Sequence, residues 1–470
     1  MENIVMNRKI PVVDSADVVV TGGGLAGVAA ALAAARAGAS VILIESNGFL
    51  GGVATAGMCC SVFNCLFSRD RKLLVGGIPL EIVDALATEA GGPGMSWRSH
   101  KGHVIYDVEK AKLLLADLLE REGVKIRLNA PVSDVIHEEG HVDAVVISDK
   151  TGLSAIGCRV LVDATGDCDA ATLAGVECRP TGSHRASYVF RLGNVDVDRF
   201  IDYFRAHPEE YPAQMDLEWT LDEALKQYDE NGTFLFPHGG GMQLSLIAEA
   251  LQNGDLVSNL GIYDTLDAMQ MHMIKETGVC HVITGYVSNK ELDSESLSRS
   301  INEGKRAAYL VAECFKKYLP GFENAFISAT ADDLGIRGSR CIYGESTFTK
   351  NMKESVYRCE DAIGVGVVQR DEKIHKAGNA WNAAVFSNDV FEIPLSCMIP
   401  KDMENIIIGS GRGVDSNPAL ILRVMVVTMT IGQGAGVAAA IAAKNSSGIK
   451  DVDYTALRAE LERQGVCFPK

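Results

Sequence analysis

Three glycines, Gly22, Gly24 and Gly27, stand in GxGxxG spacing within TGGGLAG. Between a strand and a helix each serves a different purpose. The first closes the turn, the second lets a pyrophosphate approach the main chain, and the third lets the helix pack closely. The helix that follows would offer unpaired N–H groups to the phosphates. Leu25 and Ala26, inside this turn, are further candidates for contact. Glu45 lies 18 residues beyond Gly27, where a carboxylate can accept hydrogen bonds from both ribose hydroxyls of a dinucleotide, and Ser46 stands beside it. The glycine pattern alone does not separate FAD from NAD. A paired glycine, Gly51 and Gly52, follows the acidic residue in ESNGFLGGVATAG.

Groups able to hold a substrate or move a proton stand further along. Arg337 and Arg340 can hold a carboxylate or stabilise negative charge developing on oxygen; they can equally pair with acids between domains. His238, His272, His281 and His375 all lie in the middle region, with His238 beside a glycine run and His281 beside TGY in loop-like settings. Tyr286 and Tyr343 are candidate proton donors of the same kind. Catalytic candidates are therefore Arg337, Arg340, His281 and His238.

These residues need elements to position them. Asp17 to Thr21 is an apolar run of strand length, Val28 to Ala37 an alanine-rich helix ended by Gly38, and Val41 to Ile44 a second buried strand, which completes one βαβ unit. Asp107 to Glu122 has helical spacing. Alternation near Val124 to Leu128, Val132 to His137 and Val142 to Ser148 predicts a three-stranded meander. Arg159 to Ala164 reads as a buried strand returning to the first sheet. From about Arg179 to Ile393 the pattern loosens, with an acidic helical stretch at Leu217 to Glu230, a glycine cluster at His238 to Gly241 and a long helix at Ser296 to Tyr318. Asn405 to Gly409 is a last buried strand. The expected fold is α/β: a Rossmann-type domain with a parallel sheet, helices and a β-meander, carried by residues 1–178 and 396–470, with an inserted α+β substrate domain at 179–395.

Bulk properties agree with this. At 470 residues, 47% hydrophobic and 22% charged, with 47 glycines, the chain is long enough for two domains and a large buried cofactor. A formal charge of −17 argues against nucleic acid or an anionic membrane surface as partner. Twelve cysteines with no secretory signal ahead of them read as reduced thiols of a cytoplasmic protein. Val424 to Ala443 has the length of a membrane span, but Gln433 and its glycines make it a buried helix instead, able to press its backbone against a flat ligand.

The start of the chain, RKIPVVDSADVVVTGGGLAGVAAALAAARAGASVILIESNGFLGGVATAG, resembles the family of FAD-dependent oxidoreductases with this N-terminal fingerprint. The resemblance continues in YDVEKAKLLLADLLEREGVKIRLNAPVSDV, and implies that Val132 lies beside the adenine end of FAD. LVDATGDCDAATLAG resembles the second flavin-binding strand, with Thr165, Gly166 and Asp167 near the cofactor. ENIIIGSGRGVDSNPALILRVMVVTMTIGQGAGVAAAIA resembles the closing flavin segment and implies that Gly411, Arg412, Gln433 and Gly434 face the pyrophosphate and the flavin edge. In LGIRGSRCIYGESTFT the chain departs from the family pattern: Gly338 replaces an acidic residue and Cys341 an arginine.

The expected activity is hydride transfer between FAD and a small organic substrate, anionic or carbonyl-bearing. The expected partners are that substrate and an electron donor or acceptor of unspecified kind, with a homo-oligomer allowed and no membrane span. Alternatives are a partner-dependent electron-transfer subunit and a non-redox isomerase or hydratase that uses FAD structurally. A dithiol of Cys60 and Cys65 has the CxxxxC spacing of flavin disulfide reductases but the wrong offset from Gly52, and no second dinucleotide unit follows. No cysteine spacing supports iron–sulfur or zinc ligation, so no metal is expected.

Overall fold

The structure is a computed structural model that describes residues 8–469 except Asn64, Arg69, 100–102, 183–184, 213–218, 238–243, 257–268, Lys290 and 373–382. Along the chain, β1 (Val12–Thr21), α1 (Leu25–Arg36) and β2 (Val41–Ile44) are followed by α2 (Ile78–Thr88), α3 (Val108–Arg121), β3 (Lys125–Arg127), β4 (Val132–Glu138), β5 (His141–Asp149) and β6 (Gly152–Asp163). The middle region carries β7 (Arg185–Gly193), β8 (Thr233–Phe236), β9 (Gln270–Ile274), β10 (Val279–Ser288), α4 (Ser294–Tyr318), β11 (Phe326–Thr330) and β12 (Gly335–Ile336). A hairpin, β13 (Ala362–Glu372) and β14 (Ala383–Pro394), leads to β15 (Ile406–Ile408), α5 (Met425–Asn445) and α6 (Tyr454–Arg463).

The first sheet has seven strands in the order β3-β2-β1-β6-β5-β4, with β15 also on β6. The pairs among β3, β2, β1, β6 and β15 are parallel, and β4, β5 and β6 form an antiparallel meander. This corrects the predicted meander in one respect. Lys125–Arg127 pairs with β2, whereas the third meander strand is the front half of β6, where Gly152–Gly157 pairs with Ala144–Asp149. An edge strand of a parallel sheet is half exposed, so its alternation cannot be told from that of a meander strand. The single long β6 serves both layers, which brings the two halves of the chain onto one sheet.

The second sheet runs β8-β9-β10-β7-β11, antiparallel throughout, with β12 also on β7. Its long helix α4 starts at the Asp293 cap, whose carboxylate accepts from the N–H groups of Glu295 and Ser296. Asp107 caps α3 in the same way through Glu109 and Lys110. The hairpin β13–β14 lies on α5: a Cβ at Gly364 would overlap the Thr430 methyl, and one at Gly434 would overlap Ile363.

The apolar helix α5 is long and apolar enough to cross a membrane, yet most of it is buried. The reason is its contact with α1. A Cβ at Gly432 or Gly436 would overlap the carbonyl oxygens of Ala26 and Ala30, so the two helices touch backbone to backbone. Alanine over the buried Leu25–Ala34 keeps α1 narrow enough for this approach. The close spacing of small residues in α5 thus serves helix packing.

Candidate active site

The glycine turn connects β1 to α1 as expected. Gly22 has φ +91° and a Cβ there would lie 2.6 Å from Ala164 O; at Gly27 it would overlap Gly22 O. Both glycines are therefore required by the fold itself. Gly24 differs. It has an ordinary φ of −63°, and the nearest heavy atom to a Cβ there is Gly52 Cα at 3.9 Å. Space is open above the N-terminus of α1, which no side chain caps. The first N–H groups of the helix, Leu25 and Ala26 among them, have no intrahelical acceptor. Gly51 and Gly52, both with positive φ, pack directly on this turn: Gly51 N donates to Gly23 O at 2.8 Å.

Glu45 is buried at the end of β2. Its Oε2 accepts from Gly23 N at 2.6 Å, and its Oε1 from Asn47 N at 2.8 Å and Ser46 Oγ at 3.0 Å. A carboxylate offers about four acceptor sites. With three filled, Glu45 can receive one ribose hydroxyl and not both, and the Ser46 hydroxyl serves to hold Glu45. Val132 opens β4 beside this corner, half-buried, where Ala130 N donates to Glu45 O at 3.0 Å.

The second flavin-type turn is built around a buried acid that the sequence pattern does not single out. Asp163, at the end of β6, accepts from Thr165 N, Thr165 Oγ1 and Ala171 N at 3.0, 2.7 and 2.8 Å. Burial raises its carboxyl despite these bonds. Thr165 is thereby spent on shaping the turn. Gly166 has φ +89° and lies against the Arg412 guanidinium. Asp167 accepts from Arg412 Nη2 at 3.3 Å and from Ser339 Oγ, and Arg412 also donates to Ile336 O. Gly411 N donates to Thr428 Oγ1 at 2.6 Å. The turn is thus bolted to both the closing segment and the second sheet.

The profile of the family described as FAD dependent oxidoreductase matches residues 17–461. The chain belongs to that family. FAD is its cofactor, and the structure fits the group: an open cradle at Gly24 beneath an uncapped helix, a buried carboxylate with an acceptor site to spare, and two positive-φ glycine turns facing it. No curated protein matches the chain significantly. Solved structures with a similar course include a geranylgeranyl bacteriochlorophyll reductase-like protein from Thermoplasma acidophilum, 14% identical over 96% of this chain and 83% of that one, with a TM-score of 0.43. The p-nitrophenol 4-monooxygenase PnpA from Pseudomonas putida DLL-E4 is 12% identical over 97% and 91%, at 0.41. The myxobacterial chondrochloren halogenase CndH is 14% identical over 96% and 79%, at 0.42. These likenesses assign no activity to this family member.

Not every residue implied by the family resemblance reaches the cofactor side. Gln433 is fully buried in the middle of α5, where its Oε1 accepts from Ile78 N at 3.1 Å and caps α2; Gly434 packs on Ile363. Both belong to helix packing, which corrects their placement at the flavin edge. Gly338, where the family resemblance implies an acid, is buried; a Cβ there would overlap the Leu420 side chain and lie 2.8 Å from Thr181 Oγ1, so both would have to move to admit a side chain.

The two arginines part company. Arg340 donates to Asp167 O and pairs with Asp169 at 2.6 Å, an ion pair within the turn. That removes it from the catalytic candidates. Arg337 is half-buried and donates to Ser187 Oγ at 3.2 Å on β7. It also faces the Cys59 thiol: burial raises that thiol, while the charges of Arg337 and Arg423 oppose the rise. Cys59 ends the loop that begins at Gly51 and Gly52, whose Met58 inserts among Tyr188, Val189 and Ile283 of the second sheet.

His281 is buried, and its Nδ1 finds no hydrogen-bond partner among the described residues. Burial, aided by Arg191, pulls its pKa down to about 3, so the ring is neutral at neutral pH and is not the proton carrier expected of it. Its cross-strand neighbour His272 is differently placed. His272 Nε2 lies 3.0 Å from Ser61 Oγ, and Ser61 Oγ 3.3 Å from His103 Nδ1. No sequence pattern reveals this chain of side chains, because its members lie 42 and 211 residues apart. His238, His375, the glycine cluster at 238–241 and the Tyr286 side chain lie outside the described residues. Tyr343 is exposed beneath Arg179, 5.9 Å from its guanidinium.

Burial pushes Cys65 up to about 12 and Cys60 well above its ordinary value. A dithiol relay needs a thiolate, so this pair is poorly suited to one.

Proposed function

We propose that the chain transfers a hydride between FAD and a small anionic or carbonyl-bearing substrate held between the Gly51–Cys60 loop and the second sheet. FAD, when bound, supplies the hydride chemistry. The observation that carries this reading is Arg337, a half-buried guanidinium fixed by Ser187 beside Cys59, at the end of the loop that follows the paired glycines. A guanidinium fork there can orient a carboxylate or stabilise charge developing on a carbonyl oxygen.

The accompanying proton has a route. The Ser61 hydroxyl can accept from one imidazole while donating to the other. His103 is half-buried and His272 fully buried, so the chain His103–Ser61–His272 runs from near the surface to the second sheet. His281, kept neutral, lines the same sheet without charging it.

Anaerobic stopped-flow bleaching of the flavin by a panel of small hydroxy acids, keto acids, alcohols and enones tests this. Acids and carbonyl compounds should react in preference to neutral alcohols, and Arg337→Met should raise their KM about tenfold or more while Arg337→Lys restores part of the loss. Equal reactivity of wild type and Arg337→Met toward every anionic substrate would remove Arg337 from the site. Turnover with no change in flavin redox state would replace hydride transfer by a non-redox reaction.

A further inference from the structure

The segment 332–337 ends on the guanidinium of the proposed substrate site and is fastened at both ends to elements that cradle FAD. At its start, Asp332 N and Asp333 N both donate to Ala56 O, at 2.9 and 3.2 Å, and Ala56 is buried in the loop that follows the paired glycines. The Asp333 carboxylate meets Asn47: Asn47 Nδ2 donates to Asp333 Oδ2 at 2.9 Å, across 286 residues of chain. Near its end, Ile336 O accepts from the Arg412 guanidinium, which also reaches Asp167 of the flavin turn at 3.3 Å. Between these points Leu334 packs in the same apolar cluster as Met58, and Gly335 and Ile336 pair with Ser187 and Ala186 of β7. Arg337 follows directly and donates to Ser187 Oγ at 3.2 Å.

Asn47 works at two atoms. Its main-chain N–H donates to Glu45 Oε1 at 2.8 Å, while its side-chain amide holds Asp333. One residue therefore touches both the carboxylate with an acceptor site to spare for a ribose hydroxyl and the segment that carries Arg337. Asp333 is exposed and Asn47 half-buried. A hydrogen bond in contact with water opens whenever either segment that carries it moves, so it lasts only as far as both are fixed. A ribose hydroxyl on Glu45 fixes the corner where Asn47 stands.

We propose that Asn47 and Asp333 are positioning residues that couple FAD occupancy to the placement of Arg337. FAD at Glu45 steadies Asn47, Asn47 steadies Asp333, and the segment then presents its guanidinium to the substrate. The effect is reciprocal: a protein whose segment is fastened binds FAD more tightly, by the same factor. The consequence for substrate rests on Arg337 being the anion-holding group; the coupling itself does not.

Hydrogen–deuterium exchange read by mass spectrometry compares the apoprotein with the FAD-loaded protein. In wild type, FAD should slow exchange of the amides of 332–337 by about fivefold or more. Asn47→Ala keeps the main-chain N–H on Glu45 and should still bind FAD, but the added protection should shrink to within about twofold. Asp333→Ala, outside the cradle, should lose the same protection, and the double variant no more than either single one, as partners in one bond require. Exchange in α5 should be the same in all of them, which separates loss of this bond from general loosening.

The substrate side is read with the stopped-flow panel. Asn47→Ala should raise the KM of the reactive anions with kcat little changed, and should add nothing to the KM of Arg337→Met. The coupling fails if FAD adds no protection to 332–337 in wild type, or if Asn47→Ala and Asp333→Ala keep all of it. If the protection is lost as expected while Arg337→Met leaves KM unchanged, the coupling stands and the anion-holding role of Arg337 falls. If Arg337→Met raises KM and Asn47→Ala does not, Arg337 is placed without Asn47 and the positioning role is overturned.

Discussion

Replacing Gly24 by alanine separates the cofactor's needs from the fold's. The added methyl meets nothing in the protein: Gly24 has φ −63°, and its nearest heavy-atom neighbour would be Gly52 Cα at 3.9 Å. A weaker helix cap and a less flexible unfolded chain act in opposite directions, so apoprotein stability should stay within about 1 kcal/mol of wild type. Bound FAD is affected differently. The GxGxxG spacing implies a pyrophosphate at the first N–H groups of α1; if it approaches there, the methyl would displace it, and losing one charge-assisted hydrogen bond costs about 1.5–3 kcal/mol. That corresponds to roughly 10- to 150-fold in Kd. Urea unfolding of the apoproteins and flavin-fluorescence titration with FAD measure the two quantities independently. If G24A binds FAD within about threefold of wild type, the pyrophosphate does not approach at Gly24. If instead the apoprotein loses several kcal/mol, Gly24 belongs to the fold in the same way as Gly27, where a Cβ would overlap Gly22 O.

Further outcomes follow from the same geometry. Gly432→Val drives a side chain into Ala26 O and should destabilise the apoprotein by about 1–3 kcal/mol or more, lowering the urea midpoint before FAD is added. His281 has a folded pKa of about 3 against 6.5, so on acidification the unfolded chain takes up its proton first. Stability present above pH 6.5 should therefore fall as the pH drops toward 3, and His281→Gln should flatten that slope by up to about 1.4 kcal/mol per pH unit in denaturant titrations. Ser61→Ala interrupts the His103–Ser61–His272 chain and should slow flavin reduction by roughly tenfold or more with KM little changed; an unchanged rate with an unchanged solvent isotope effect would exclude this proton route.

Much of the architecture was legible in the chain itself. The βαβ start, the glycine spacing and the helices at Val108–Arg121 and Ser294–Tyr318 are written in local periodicity and in capping residues close in sequence to what they stabilise. Glu45 stands out by its distance from Gly27, because strand, turn and helix have nearly constant lengths in such a unit. What the sequence could not supply was partners. Arg337 and Arg340 are three positions apart and chemically alike, yet one faces Cys59 while the other is consumed by Asp167 and Asp169, some 170 residues earlier. Gln433 has the look of a ligand contact until α2 supplies a main-chain N–H for its amide oxygen. Cys60 and Cys65 draw attention by their spacing, whereas in the fold both are buried and burial holds both thiols protonated. By itself the sequence determined which segments are strands and helices and where the glycine turn joins them, since those depend on neighbours within a turn or two. Only the tertiary structure decided which polar groups are free to act, because a buried donor or acceptor takes whatever partner the fold brings to it, however distant along the chain.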